Sequence, residues 1–320
     1  MSTHFTSALE RWQIALYLGA IGLGWLLGHH WPAVSTAADA LLWPALALLL
    51  YATFLQLDPG ALRTAFGDAR FLGAAVLGNF ILIPLGIAML LPWLPGDPAL
   101  QLGVALILLV PCTDWFLSFN RLGGGDNGQA IAFTPLALLL QAILLPLYLW
   151  LLLDEGPRLS VLGPQTLVAF AGLVGLPLTA AMFTRSRVRQ RGGGDPGAGV
   201  WLPVPLLALV VALVSAAHAE LLVAATGRLA LLIPVFACFL LAAALLAWLL
   251  AGLLNLPPRQ GRVLAFSFGS RNSFVVLPIA LALPAGYEVV ALVIVLQAMV
   301  ELAGMLMFLI WIPRLFPIRT

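Results

Sequence analysis

Apolar residues run along this chain in blocks of about twenty, each closed by a short polar interruption, which is the length an α-helix needs to cross the hydrocarbon core of a bilayer. Windows of that size predict helices near Trp12–Leu27, Ala38–Leu57, Phe71–Leu94, Ala99–Arg121 and Gln129–Leu153. A second set follows near Leu162–Thr184, Val200–Ala217, Leu229–Leu254, Val263–Leu283 and Val289–Ile312. A bilayer offers backbone groups no partners, so spans must be helices or closed barrels, and only helices require uninterrupted apolar runs. The pattern therefore predicts an all-α membrane protein of about ten transmembrane helices. Five spans in residues 1–157 and five in 158–320 mean that the two halves enter the membrane from opposite sides, as in an inverted repeat within one compact membrane domain. Two weak correspondences fit: Asp114 and Arg271 are offset by 157 residues, Gln141 and Gln297 by 156. A different reading of the first run takes it as a signal peptide, since Arg11 precedes it and small residues surround Ala38. Nine spans would then remain.

Composition excludes the water-soluble alternatives. The 320 residues are 62% hydrophobic and 9% charged, against roughly a quarter charged in a soluble domain. All fifteen basic residues are arginines and the net charge is +2, so no basic surface speaks for nucleic acid. The arginines report orientation instead, because Arg-rich loops stay cytoplasmic. Placing both termini inside puts Arg11, Arg63, Arg70, Arg121, Arg185, Arg187, Arg189, Arg191, Arg259, Arg262, Arg314 and Arg319 in the cytoplasm and only Arg158 and Arg228 outside. A multi-pass protein of the inner (plasma) membrane is the expectation. The histidines, His4, His29, His30 and His218, fall at termini or span edges and indicate no metal site, and no cofactor is implied. Gly123–Gly125 and Gly192–Gly194 lack the strand, Lys and Ser/Thr of a phosphate loop and read as plain loops.

Three ionisable residues fall inside spans, where an uncompensated charge costs roughly 2.5–3.5 kcal/mol. Asp114 follows Pro111–Cys112–Thr113, Arg271 lies in Gly269–Ser270–Arg271–Asn272–Ser273, and Glu301 sits in the last span. The first two occupy helix-breaking sequences: Pro111 lacks a donor and disfavours helix in the residue before it, and the Gly/Ser/Asn run is the least helical part of its span. Interrupted helices at matching places of two inverted halves point to a midplane binding site. Asp114 and Arg271 are expected to meet there, as substrate ligands or as an internal salt bridge. Glu301 has Gln297 one turn earlier on the same face as a hydrogen-bond partner. Asn79 and Gln141 are polar residues expected to face the bundle interior, in helix packing or substrate contact. Cys112 stands out by its place at the break, while Cys238 reads as packing within an Ala/Leu run.

Leu109–Val110–Pro111–Cys112–Thr113, followed by Gly125–Asp126, resembles the arsenite permeases of the bile acid/sodium symporter superfamily, whose fourth span carries a Pro-Cys-Thr-like motif with Gly-Asp shortly after it. Asn79 with Pro84, Ser270–Phe274 and Glu301 agree with that likeness. The resemblance implies a five-plus-five inverted repeat with two crossed broken helices, Cys112 as the arsenite-binding thiol, and Glu301 as part of the transport path. Trivalent arsenic is soft and prefers thiolate, and a single thiol lets a carrier release what it binds. One departure concerns sodium. After Asn272–Ser273–Phe274 the family commonly has an acid, a sodium ligand in its symporters, where this chain has Val275. Hard cations need several oxygen ligands, so the departure argues against sodium coupling, with Arg271 as a tethered cation in its place.

The expectation is a secondary transporter that exports arsenite or a related metalloid in exchange for protons. Cys112, Thr113, Asp114, Arg271, Asn272 and Ser273 would bind substrate, Glu301 and Gln297 would couple protons, and Asn79 and Gln141 would support the site. The rivals are an organic-anion carrier using Arg271 and a non-transporting membrane sensor; an intramembrane enzyme would need a base beside Cys112 that the sequence does not supply.

Overall fold

The computed structural model describes residues 3–55, 67–113, 115–156, 161, 163–191 and 202–318. In chain order the helices are α1 Thr3–His30, α2 Pro32–Phe54, α3 Ala69–Trp93, α4 Pro98–Leu109, α5 Trp115–Leu122, α6 Asn127–Leu152, α7 Pro164–Gln190, α8 Pro203–Ala217, α9 Ala219–Ala230, α10 Leu232–Leu253, α11 Pro258–Gly269, α12 Ser273–Leu281 and α13 Val289–Leu315. Among the described residues the only extended pairing is a single antiparallel bridge between Pro111 and Arg271. By length and hydropathy α2, α3, α6, α10 and α13 are each able to cross a membrane, and α8 with α9, bent by 94°, pass that test together. The all-α expectation is therefore met at the level of five to six apolar helices.

Local chemistry sets the helix boundaries. Proline opens α2, α4, α8 and α11 at a first-turn position, where its missing N–H has no intrahelical role. Asp68, Asp97 and Asp126 cap α3, α4 and α6, accepting from Phe71 N, Ala99 N and Gln129 N at 3.0–3.1 Å. The Gly125–Asp126 pair is thus structural. Asp126 is the cap, and a Cβ on Gly125 would run into the Asn120 side chain.

The chain divides into two compact units, each drawn from both halves of the sequence. Unit 1 is Met1–Leu57, Leu159–Ala230 and Phe274–Val295; unit 2 is Asp58–Arg158, Leu231–Ser273 and Leu296–Thr320. In unit 1, Gly24 and Gly28 of α1 lie directly against the backbone of Ala212 and Ala216 of α8, where a Cβ on either glycine would collide with a carbonyl. Small residues four apart on both helices are what lets membrane helices approach backbone to backbone. Tyr51 and Thr184 join α2 to α7 through their hydroxyls, 2.9 Å apart. In unit 2, α4 is buried along almost its whole length, Leu100 and Leu102 through Leu109 included. It carries the first half of the candidate site.

Three features differ from the pattern-based expectation. Residues 219–230 form α9, most of which the apolar windows leave between the spans near Val200–Ala217 and Leu229–Leu254, because its Glu220 and Arg228 leave only a short apolar stretch. Helix α7 runs on past Thr184 to Gln190, since an arginine-rich tail is compatible with helix once it leaves the bilayer. Within α3, residues Gly78–Leu82 form a π turn, a local widening frequent at functional sites.

Candidate functional site

Helix α4 stops at Leu109 because Pro111 cannot donate and biases Val110 out of the helical region, where it lies at φ −107°, ψ 107°. Helix α11 stops at Gly269, with Ser270 extended at φ −93°, ψ 135°. The two breaks meet. Cys112 N donates to Ser270 O at 3.0 Å and Asn272 N to Val110 O at 2.9 Å.

That exchange leaves a definite set of carbonyls without their helical donors. Leu108 O would normally receive the N–H of Cys112, Phe268 O that of Asn272, and Ser267 O that of Arg271. The first two N–H groups are used across the bridge, and Arg271 N instead donates to Glu301 Oε2 at 2.8 Å. The guanidinium of Arg271 takes all three orphaned oxygens: Nη1 donates to Leu108 O at 3.0 Å, and Nη2 to Ser267 O at 3.2 Å and Phe268 O at 2.6 Å. Nη2 also reaches Asn79 Oδ1 at 3.1 Å. One cation therefore sits on the negative C-terminal ends of α4 and α11 together. Each carbonyl left unpaired there would cost about 1–3 kcal/mol. Arg271 is 0% exposed, and its Cζ lies 5.2 Å from the Phe239 ring centroid.

Asn79 is aimed at this cation by the π turn in α3. Its Nδ2 donates to Ser267 Oγ at 3.0 Å and to Ala75 O at 3.3 Å, so both ends of the amide are used. Gly78 has no room for a Cβ beside the Phe268 ring. Pro84 lacks the N–H that Phe80 O would accept, and the Tyr148 hydroxyl of α6 donates to that carbonyl instead. Pro84 thus helps open the turn and Tyr148 closes the account.

Glu301 and Gln297, both buried, form the expected pair, with Gln297 Nε2 donating to Glu301 Oε2 at 2.7 Å. The Ser270 hydroxyl lies beside that carboxylate and is directed at Met305 Sδ, 3.6 Å away. Cys112 is buried at the bridge and takes part in no disulfide among the described residues. Asn272 Nδ2 donates to Thr113 Oγ1 at 3.2 Å. Glu301 Oε1, Gln297 Oε1, Arg271 Nε and Ser273 Oγ have no hydrogen-bond partner among the described residues. Asp114 lies outside the described residues. Gln141 is buried in α6 with its Oε1 unpartnered among the described residues, and no hydrogen bond described here joins it to the cluster.

Sequence reasoning missed Ser267, Phe239 and Tyr148. A signal existed for Ser267, a hydroxyl one turn before Arg271 on the same helix. Phe239 and Tyr148 had none, being aromatics among many. Among the described residues no group of three or more His, Cys, Asp or Glu side chains could hold a metal ion.

Apolar spans with their buried charge gathered where two helices break define a multi-pass membrane protein built to pass a small solute. The chain belongs to the sodium bile acid symporter family, whose model matches residues 43–247. It is accordingly a solute transporter of the bile acid/sodium symporter type, and members of that family are transporters, not enzymes. The match ends before Arg271 and Glu301, so the roles of these two rest on their own geometry. Among curated proteins none matches this chain.

Proposed function

We propose that this protein is a secondary transporter of the inner membrane that exports arsenite or a related metalloid in exchange for protons. In this reading it has ten spans in a five-plus-five inverted repeat with both termini cytoplasmic. The observation that carries it is the placement of Cys112: a buried thiol, 1% exposed, in the backbone bridge between two broken helices. A thiol there offers a soft ligand for trivalent arsenic.

The organic-anion alternative is less well served. Both terminal nitrogens of Arg271 are committed to protein oxygens, leaving Nε alone for a carboxylate, whereas strong carboxylate recognition uses two parallel donors. The same oxygen set argues for sodium-independent transport. Three carbonyls and an amide oxygen around one positive centre form the kind of shell a hard cation takes, and here the guanidinium fills it. Glu301 is the proton carrier in this scheme. Its Oε2 accepts from Gln297 and from Arg271 N while Oε1 has no hydrogen-bond partner among the described residues, so protonation at Oε1 changes the charge facing the bridge without breaking either bond. Pairing of Asp114 with Arg271 completes the proposal and is open to a double-mutant cycle.

The test is efflux of radiolabelled arsenite, with labelled carboxylates in parallel, from vesicles under imposed sodium or proton gradients. Arsenite efflux driven by protons, unaffected by sodium and lost in Cys112→Ser but not in Cys238→Ser, is expected. Full activity of Cys112→Ser, or preference for carboxylates, would reject the arsenite reading.

A further inference from the structure

A cavity of about 530 Å³ lies in unit 2 between α3 and α10, separate from the bridge. Ile83, Gly86 and Ile87 form its wall on α3; Cys238, Phe239 and Ala242 form it on α10. The slot exists because its rim is small. A Cβ on Gly86 would meet nothing within 4 Å, and Ala242 and Cys238 face it from the other helix.

Two observations identify what fills it. First, α3 and α10 are both long and apolar enough to cross a bilayer, and the lining residues Gly86, Pro234, Cys238 and Ala242 are themselves exposed. In a membrane protein that surface meets hydrocarbon, and the slot is continuous with it. Second, the wall is apolar apart from one thiol, so nothing in it would hold a headgroup or keep water. An unfilled slot would forfeit the dispersion contacts of its lining, and its volume lies within the range of small-molecule sites. Phe239 then links the slot to the cradle, since the same side chain that lines the cavity has Arg271 over its ring.

We propose that this crevice is a binding site for one acyl chain of a bilayer lipid, and that the bound chain holds Phe239 against the Arg271 guanidinium. The proposal requires the membrane location only, and stands whether or not arsenite is the substrate.

The experiment uses the full-length protein in phosphatidylcholine vesicles containing a small fraction of phosphatidylcholine with a diazirine midway along one acyl chain. After irradiation, adducts are mapped by peptide mass spectrometry, and melting is followed in detergent with and without added phosphatidylcholine. Adducts should concentrate on the crevice residues Cys238 and Ala242 relative to Ile143, an exposed apolar residue of α6. Gly86→Trp should fill the slot and lower the crevice adducts by about tenfold while leaving those on Ile143 unchanged. Added lipid should raise the melting temperature of the wild type more than that of the variant. If Gly86→Trp does not fold, Ala242→Leu is the milder filling change and should act in the same direction. Phe239→Leu should shrink the lipid-induced rise in melting temperature while crevice adducts persist. Crevice labelling no denser than at Ile143, labelling unaffected by the filling variants, or oxidative cross-linking of two copies through Cys238 would overturn the proposal, the last by showing a second chain in the slot.

Discussion

Arg262 and Arg271 lie on one stretch of chain, both buried, and both are surrounded by main-chain oxygen, yet they are held in different ways. Arg262 gathers helix ends. Its Nε and Nη2 donate to Phe316 O at 3.2 and 2.9 Å, Nη2 also to Pro313 O at 3.4 Å, and Nη1 to Gly123 O and Gly124 O at 3.0 and 3.3 Å. Every nitrogen of that guanidinium is used. The left-handed Gly124, at φ 71°, leaves room for it, since a Cβ there would come within 2.7 Å of Nη1. Arg271 instead sits where two helices are interrupted, with Nε unpartnered among the described residues and an incompletely bonded carboxyl, Glu301, against its own backbone N–H. A fully used cation at the end of the bundle is a fastener. One at a helix break, against a buried carboxyl, is placed where a change of charge would be felt.

The sharpest way to break this comparison is to remove each guanidinium. Arg271→Met should destabilise the protein by roughly 3–5 kcal/mol, as truncation of a buried charged network does, and abolish transport. Arg271→Lys should recover stability only in part, because an ammonium on a flexible stem cannot span the four oxygens that the planar fork reaches. Thermal melting with vesicle efflux reads both. Arg262→Met should cost less, about 1–3 kcal/mol, since carbonyls at helix ends can turn to water. Its transport per folded molecule and its pH profile should match the wild type. Equal losses of transport in the two variants would erase the distinction.

Glu301→Gln keeps a carbonyl oxygen for Arg271 N and Gln297, so its stability should change by no more than about 1 kcal/mol while flux loses its dependence on the proton gradient. An intact proton dependence would show that the carboxyl is structural. A smaller effect is expected at Tyr148→Phe, which orphans Phe80 O and should cost about 1 kcal/mol; a transport defect larger than that loss explains would mean that the π turn shapes the site directly. Asp68 supplies the smallest and most local effect. Bonds from Phe71 N and the Gln260 amide, 2.7 Å from Oδ2, hold its carboxyl below the usual range. A lowered folded-state value stabilises above the unfolded pKa of about 3.9, and that contribution is lost as pH falls through the lower folded value. Asp68→Asn should therefore melt slightly below the wild type at neutral pH and converge with it in acid, which flattens the acid limb of the melting curve against pH.

Much of this was legible in the sequence because a bilayer is an unforgiving solvent. Pro111 and the Gly269–Ser273 run mark the breaks, and each lies where the helix ends. Gln297 and Glu301 pair as their four-residue spacing implies. Asn79 was recognisable as a costly polar residue, but not as the group that completes the guanidinium's shell, because the π turn that aims it depends on tertiary partners. The role of Ser267 is half main chain, and carbonyls carry no sequence signal. Arg262 read as a loop charge marking the cytoplasmic side; its burial among helix ends comes from the packing of three distant segments. The assignment of residues to two units also escapes a linear reading, since each unit interleaves both halves.

The crossing at Pro111 and Arg271 has an evolutionary consequence. Its two hydrogen bonds run between main-chain atoms of residues 110, 112, 270 and 272, and substitution does not remove main-chain atoms unless it introduces proline. The thiol of Cys112 and the amide of Asn272 can therefore be exchanged for other chemistry while the crossing persists. Lineages that keep Pro111 and the broken glycine–serine run are free to vary the side chains at these two positions without first passing through a misfolded ancestor.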